Sequence, residues 1–295
     1  MNAPNTHKSG FVNIIGCPNV GKSTLMNALV GERLSIITSK AQTTRHRIMG
    51  IVSGDDYQIV FSDTPGIMKP LYKLQEKMMQ FVITALADAD LFLYITDVFE
   101  DIQLEEVYLA KLQKTQTPIL LLINKIDIAS QQQLEDSIVK WRERLPMAEI
   151  MAISALEKFN IDKIMGRIIE LLPAGNAFYD KEEFTDKSER FFVSEIVREK
   201  ILLNYKKEIP YSVEVIVNSF KEEEKIIKMQ VDILVERDSQ KGIIIGDKGT
   251  ALKRVGTQAR KDMEVFFKKQ VYLELFVKVD KDWRSNENRL KNFGY

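Results

Sequence analysis

The chain has 295 residues, 45% of them apolar, which is enough for two ordinary domains with separate cores. Its 42 basic and 42 acidic side chains cancel, so any contact with a polyanion has to be local. A single cysteine, Cys17, excludes an internal disulfide, and no apolar run approaches a membrane span; a soluble cytoplasmic protein is expected. The opening stretch MNAPNTHKSG is polar and lacks the apolar core of a signal peptide.

Residues 1–172 alternate short apolar runs with longer amphipathic ones. The runs FVNII (11–15), YQIVFS (57–62), LFLYIT (91–96), PILLLIN (118–124) and EIMAIS (149–154) read as strands buried on both faces. Helices are expected between most of them, over Ser23–Leu29, Tyr72–Ala87 and Gln131–Leu145. Such alternation predicts an α/β domain with a mostly parallel sheet.

Between the first strand and the first helix lies Gly16-Cys17-Pro18-Asn19-Val20-Gly21-Lys22-Ser23, a G-x-x-x-x-G-K-S phosphate loop. Glycines let consecutive N–H groups face an anion, and the helix N-terminus adds partial positive charge. In this reading Lys22 meets the β and γ phosphates, the Ser23 hydroxyl ligates Mg²⁺, and Thr24 follows in the first helical turn. Cys17 reads as a tolerated small residue, because a catalytic thiol needs a base and the chain has only His7 and His46. Asp63-Thr64-Pro65-Gly66 ends the second strand; Asp63 can hold the metal and the Gly66 amide can meet the γ-phosphate. Asn124-Lys125-Ile126-Asp127 ends the fourth. Asp127 can accept hydrogen bonds from guanine N1–H and N2–H₂, which adenine does not offer. Asn124 braces the loop, the Lys125 stem lies along the base, and Ser154-Ala155 lends an N–H to guanine O6. Together these residues imply a GTP/GDP site in which Lys22 and Gly66 belong to the catalytic set.

Pro173-Ala174-Gly175-Asn176 breaks the last helix, and residues 173–188 read as a linker. Beyond it the order is α-β-β-α-α-β. A helix over Glu189–Lys207 precedes strands at Ser212–Ser219 and Lys225–Glu236. GIIIGDKG, a basic helix from Thr250 to Lys268 and the strand VYLELFVKV follow. Residues 241–269 carry eight basic side chains against three acidic ones. Ile245, Gly246, Asp247, Lys248, Gly249, Lys253 and Arg254 form the candidate RNA contact, where glycines permit a tight turn against a sugar–phosphate backbone. Ile243, Ile244 and Ile245 read first as core, Asp247 as unfavourable beside phosphate. Lys281, Arg284, Arg289 and Lys291 extend the contact or form a mobile tail.

GCPNVGKS, QTTRH, DTPG, NKID and SAL resemble the five motifs of the translation-factor-related branch of small GTPases. The second half, 189–295, resembles a type II KH domain with Gly246-Asp247-Lys248-Gly249 as its GxxG loop, and the combination is similar to the Era family. This resemblance implies a GTP hydrolase acting on the 3′ end of 16S ribosomal RNA in 30S subunit assembly, monomeric, with peripheral membrane contact allowed. It further implies Thr43 or, preferably, Thr44 as the switch threonine on Mg²⁺, and Asn19 as the asparagine that holds K⁺ in some relatives. A Ras-like switch would place a water-orienting glutamine after DTPG. This chain has Ile67, so slow intrinsic turnover is expected. Competing readings are an RNA chaperone with a structural nucleotide, a GTPase of tRNA modification or membrane signalling, and, weakest, an ATPase.

Overall fold

The computed structural model describes residues 7–99 and 106–295, so most of the polar N-terminal stretch lies outside the described residues. The chain forms two compact units. One holds the described residues to Leu71 with Gln75–Asp186, the other Tyr72–Leu74 with Lys187–Tyr295.

The first unit runs β1 (Lys8–Ile15), α1 (Lys22–Val30), β2 (Ile48–Ser53), β3 (Tyr57–Asp63), α2 (Lys73–Ala87), β4 (Leu91–Asp97), α3 (Glu106–Lys114), β5 (Ile119–Asn124), α4 (Gln131–Arg144), β6 (Glu149–Ala152) and α5 (Ile161–Leu171). The sheet order is β2-β3-β1-β4-β5-β6, with β2 alone antiparallel. Every residue of β4 and β5 is buried, which is why these strands read as unbroken apolar runs. The phosphate loop, DTPG and NKID all leave the carboxyl ends of parallel strands, where open α/β sheets bind ligands. α4 starts sharply after NKID because Ser130 and Gln133 cap it reciprocally, Gln133 N–H to Ser130 Oγ at 3.3 Å and Ser130 N–H to Gln133 Oε1 at 2.9 Å.

Two differences from the sequence reading have clear causes. Strand β2 was not expected, because Gly50 interrupts its apolar run. The expected linker is instead a strap on the first unit. Gln58 is fully buried and needs partners; its Oε1 accepts from Phe178 N–H (2.7 Å) and Tyr179 N–H (3.0 Å), and its Nε2 donates to Tyr179 O (2.8 Å). Farther along, Ile51 N–H donates to Phe184 O at 3.0 Å and Met49 N–H to Asp186 Oδ1 at 2.9 Å.

The second unit runs α6 (Glu189–Asn204), β7 (Glu214–Glu222), β8 (Ile226–Val235), α7 (Asp238–Ile245), α8 (Thr250–Phe267), β9 (Gln270–Val279) and α9 (Glu287–Asn292). Its sheet order is β7-β8-β9, β7 antiparallel and β9 parallel to β8. Helices α6, α7 and α8 bury Val197, Ile201, Ile244, Val255, Ala259 and Met263 with the sheet in one core. The C-terminus is folded rather than a tail. Trp283 and Leu290 are fully buried, and Asn286 caps α9 through Asn288 N–H (3.0 Å) and Arg289 N–H (3.2 Å). Arg284 pairs with Glu236 and Arg289 with Asp280, so these two basic groups are already committed.

Candidate nucleotide and RNA sites

Phosphate loop and α1 meet at Lys22, whose buried ammonium donates to the carbonyls of Gly16 (3.1 Å) and Cys17 (2.7 Å). The loop is thereby curled around the lysine. Asn19 takes the left-handed conformation at φ 66°, a region asparagine tolerates. Gly66 lies against the loop so closely that a Cβ there would come within 2.7 Å of the Pro18 nitrogen. The next N–H, of Ile67, donates to Gly16 O at 3.1 Å, while its side chain is buried. An isoleucine side chain offers no polar group to orient water at this position.

The three expected metal ligands converge. Ser23 Oγ donates to Asp63 Oδ2 at 2.7 Å and lies 2.9 Å from Thr44 Oγ1; Thr44 Oγ1 donates to the same carboxylate oxygen at 3.3 Å. Thr43 is turned away, donating to Lys40 O at 2.6 Å and sitting 2.6 Å from Thr38 Oγ1. Asp63 is fully buried and its Oδ1 has no hydrogen-bond partner. Burial pushes its carboxyl above the ordinary range, against the lowering effects of the Ser23 bond and the Lys22 charge. A desolvated carboxylate with an idle oxygen beside two hydroxyls is a donor set that suits a hard divalent cation.

At the far end, Asn124 joins two loops. Its Nδ2 donates to Val20 O at 2.8 Å, and its Oδ1 accepts from Ala155 N–H at 2.9 Å. Ala155 N–H is engaged by Asn124 and Ser154 N–H bonds to Phe159 O at 3.4 Å, so donation to guanine O6 requires one of them to change partner. Lys125, at φ 63°, places its ammonium 2.6 Å from Asp97 Oδ2, which holds its stem in one direction. Asp97, at the end of β4, was missed by the sequence reading; an acid at a strand end opposite NKID was its only signal. Asp127 is exposed, flanked by exposed Ile128 and Leu156. A single cavity of about 600 Å³ connects Lys22, Ser23, Thr44 and Gly66 to Asn124 and Asp127, a volume suited to one small ligand.

In the second unit, Gly246 at φ 73° makes a turn at which a Cβ would strike the Ala251 Cβ at 2.6 Å. Lys248 and Gly249 continue in positive φ. Of the three isoleucines, Ile244 is fully buried, its carbonyl accepting from the Tyr205 hydroxyl at 2.7 Å. Ile245 is half-buried at the core's margin and Ile243 is 49% exposed, so they divide between core and surface. Asp247, Lys248, Lys253 and Arg254 are all exposed around the turn.

The fold and cavity define a P-loop GTPase domain followed by a KH domain. Residues 11–125 match the family described as 50S ribosome-binding GTPase, and residues 208–284 match the KH domain family. GTPase Era of Staphylococcus epidermidis is 44% identical over 291 residues, spanning 98% of this chain and 97% of that protein, and Era of Staphylococcus haemolyticus is equally similar. The chain therefore belongs to the Era family of GTPases. A crystal structure of Era with MgGDPNP and nucleotides 1506–1542 of 16S ribosomal RNA superimposes with a TM-score of 0.93 at 37% identity, covering 98% of this chain and 99% of that one. A point variant of Aquifex aeolicus Era bound to GDP and AlF₄⁻ matches over the same shares with a TM-score of 0.93 at 38% identity.

Proposed function

We propose that this GTPase binds the 3′ end of 16S ribosomal RNA through its second unit, under control of the nucleotide in its first, during 30S subunit assembly and rRNA maturation. The single observation that carries this reading is the pairing, in one Era-family chain, of the connected nucleotide cavity with an exposed GxxG turn flanked by Lys248, Lys253 and Arg254. A relative whose structure matches at a TM-score of 0.93 holds both kinds of ligand. A cytoplasmic site of action follows from that ribosomal partner. Among the described residues no helix is long and apolar enough to cross a membrane.

In this reading Mg²⁺, held by Ser23, Thr44 and Asp63, neutralises developing charge on the phosphates. Lys22 leaves the Gly16 and Cys17 carbonyls for the β and γ phosphates, and the loop amides and Gly66 N–H orient the group to be transferred. The segments 35–47 and 63–74 order around the triphosphate and change the surface offered to RNA or ribosome. Arg47 fixes where the first segment ends, its guanidinium donating to Ser62 Oγ (2.6 Å), Asn13 Oδ1 (3.1 Å) and Asp88 (2.6 and 2.9 Å).

With no polar side chain at Ile67, intrinsic turnover is slow and has to be completed from outside. Asn19, exposed in the phosphate loop, is the proposed K⁺ ligand. GTP turnover measured with and without a 16S 3′-end RNA, in K⁺ and in Na⁺, tests the whole reading. We expect stimulation by the RNA that Lys248→Glu abolishes, and stimulation by K⁺ that Asn19→Ala abolishes. Rates indifferent to the RNA in wild type would remove the proposed link between the two units.

A further inference from the structure

Helix α8 presents two faces. Val255, Ala259 and Met263 are buried, whereas Lys253, Arg254, Thr257, Gln258 and Lys261 stand exposed on the other side at helical spacing. Helix α6 lies beside it, joined by the Phe192–Phe266 ring contact at 5.2 Å and by Asn204 Nδ2 donating to Gln258 Oε1 at 2.6 Å. The seam carries two shallow depressions. The first begins at Thr250, directly after the GxxG turn, and includes Lys253 and Arg254; the second includes Asn204 and Lys261. They meet at Gln258, which lines both.

Charge along this seam is one-sided. Lys200 is neutralised by Glu199 (2.8 Å) and Asp262, which also silences the Asp262 carboxylate. Lys253, Arg254 and Lys261 make no ion pair among the described residues. Because Asn204 occupies Gln258 Oε1, the Gln258 amide is left with N–H groups to offer, which suits an acceptor such as a phosphate oxygen. From Thr250 to Lys261 the helix rises about 16 Å. That length accommodates about five phosphates of a stacked strand at ~3.4 Å each.

From this continuity we infer that the α6–α8 seam is a second phosphate track, which takes the backbone of the RNA segment adjoining the nucleotides held at the GxxG turn. The inference rests on the RNA reading proposed above and extends it to Gln258, Lys261 and Asn204. A protein partner fits less well, since Leu203 is the only exposed large apolar side chain lining the two depressions and protein interfaces need an apolar centre. The track reads no sequence; its contribution is affinity and register along the strand.

The test uses the full chain and two RNAs of the 16S 3′-end sequence: a single-stranded six-nucleotide oligomer, which the GxxG turn alone can hold, and a fragment extended by about ten nucleotides, since such a turn clamps about four. In a Gln258→Glu/Lys261→Glu double variant the short oligomer should bind as wild type, while the long fragment loses about tenfold in affinity. The slope of log K against log salt for the long fragment should shrink by about 0.7 to 1.4, one or two phosphate contacts. The milder Lys261→Gln variant should lose about threefold. Unchanged long-fragment affinity and slope in the double variant overturn the track, as does equal loss for both RNAs. Failure of Lys248→Glu to weaken the short oligomer, or failure of wild type to bind it, overturns the GxxG reading and the track with it.

Discussion

Asp127→Asn is expected to lower GTP affinity about 10²- to 10³-fold and to create binding of xanthosine triphosphate. The carboxylate can accept two bonds from guanine, at N1–H and N2–H₂, and hydrogen bonds to a charged group contribute about 1.5–3 kcal/mol each. An asparagine accepts one of these and turns its own NH₂ toward the guanine amine, donor against donor. Xanthine carries a carbonyl at that position, so the same NH₂ finds an acceptor. Asp127 is exposed in the structure, so the exchange leaves no buried cavity and the fold is unaffected. Calorimetric titration of both proteins with GTP, xanthosine triphosphate and ATP checks this. GTP affinity within threefold of wild type in the variant would mean that Asp127 does not read the base.

Lys22→Ala is expected to reduce single-turnover hydrolysis by about 10²- to 10³-fold, the scale on which removal of one preorganised charge-stabilising group acts. The side chain is buried and already directed at the loop: its ammonium holds the carbonyls of Gly16 and Cys17 and lowers the proton affinity of Asp63. Alanine removes the Lys22 charge and leaves Asp63 less able to stay ionised. Lys22→Arg should not rescue, because a planar guanidinium does not reproduce a compact point charge inside a curled loop. Phosphate release measured under single-turnover conditions, with the fold verified by thermal melting, decides it. A rate within tenfold of wild type would show that the loop lysine is not needed.

Local chemistry made most of the nucleotide site legible in advance. The residues of a phosphate loop are contiguous because backbone amides do the binding, and a strand buried on both faces is apolar along most of its length, as in residues 91–95 and 119–123. What escaped depends on contacts between distant positions. Asp97 matters through Lys125, twenty-eight residues away, and no periodicity announces that pair. The strap depends on long-range contacts such as that of buried Gln58, whose amide needs the backbone of Phe178 and Tyr179. Strand β2 is hidden by Gly50, and α9 by a charged segment anchored through buried Leu290 and the Trp283–Phe293 ring contact. In the second unit the GxxG turn could be located from its glycines, but which isoleucine joins the core could not, since Ile243, Ile244 and Ile245 differ only in how the helix is rotated.

Control of RNA binding by the nucleotide is most directly measured as the affinity for a 16S 3′-end RNA with the protein loaded in turn with a non-hydrolysable GTP analogue and with GDP. Coupling free energies between sites are typically 1–3 kcal/mol, about 5- to 150-fold. The triphosphate form is expected to bind at least about fivefold more tightly, and by reciprocity the RNA should raise the preference for the analogue over GDP by the same factor. Equal affinity in the two forms, with the RNA bound by both, would contradict the switch and leave two independent binding units on one chain.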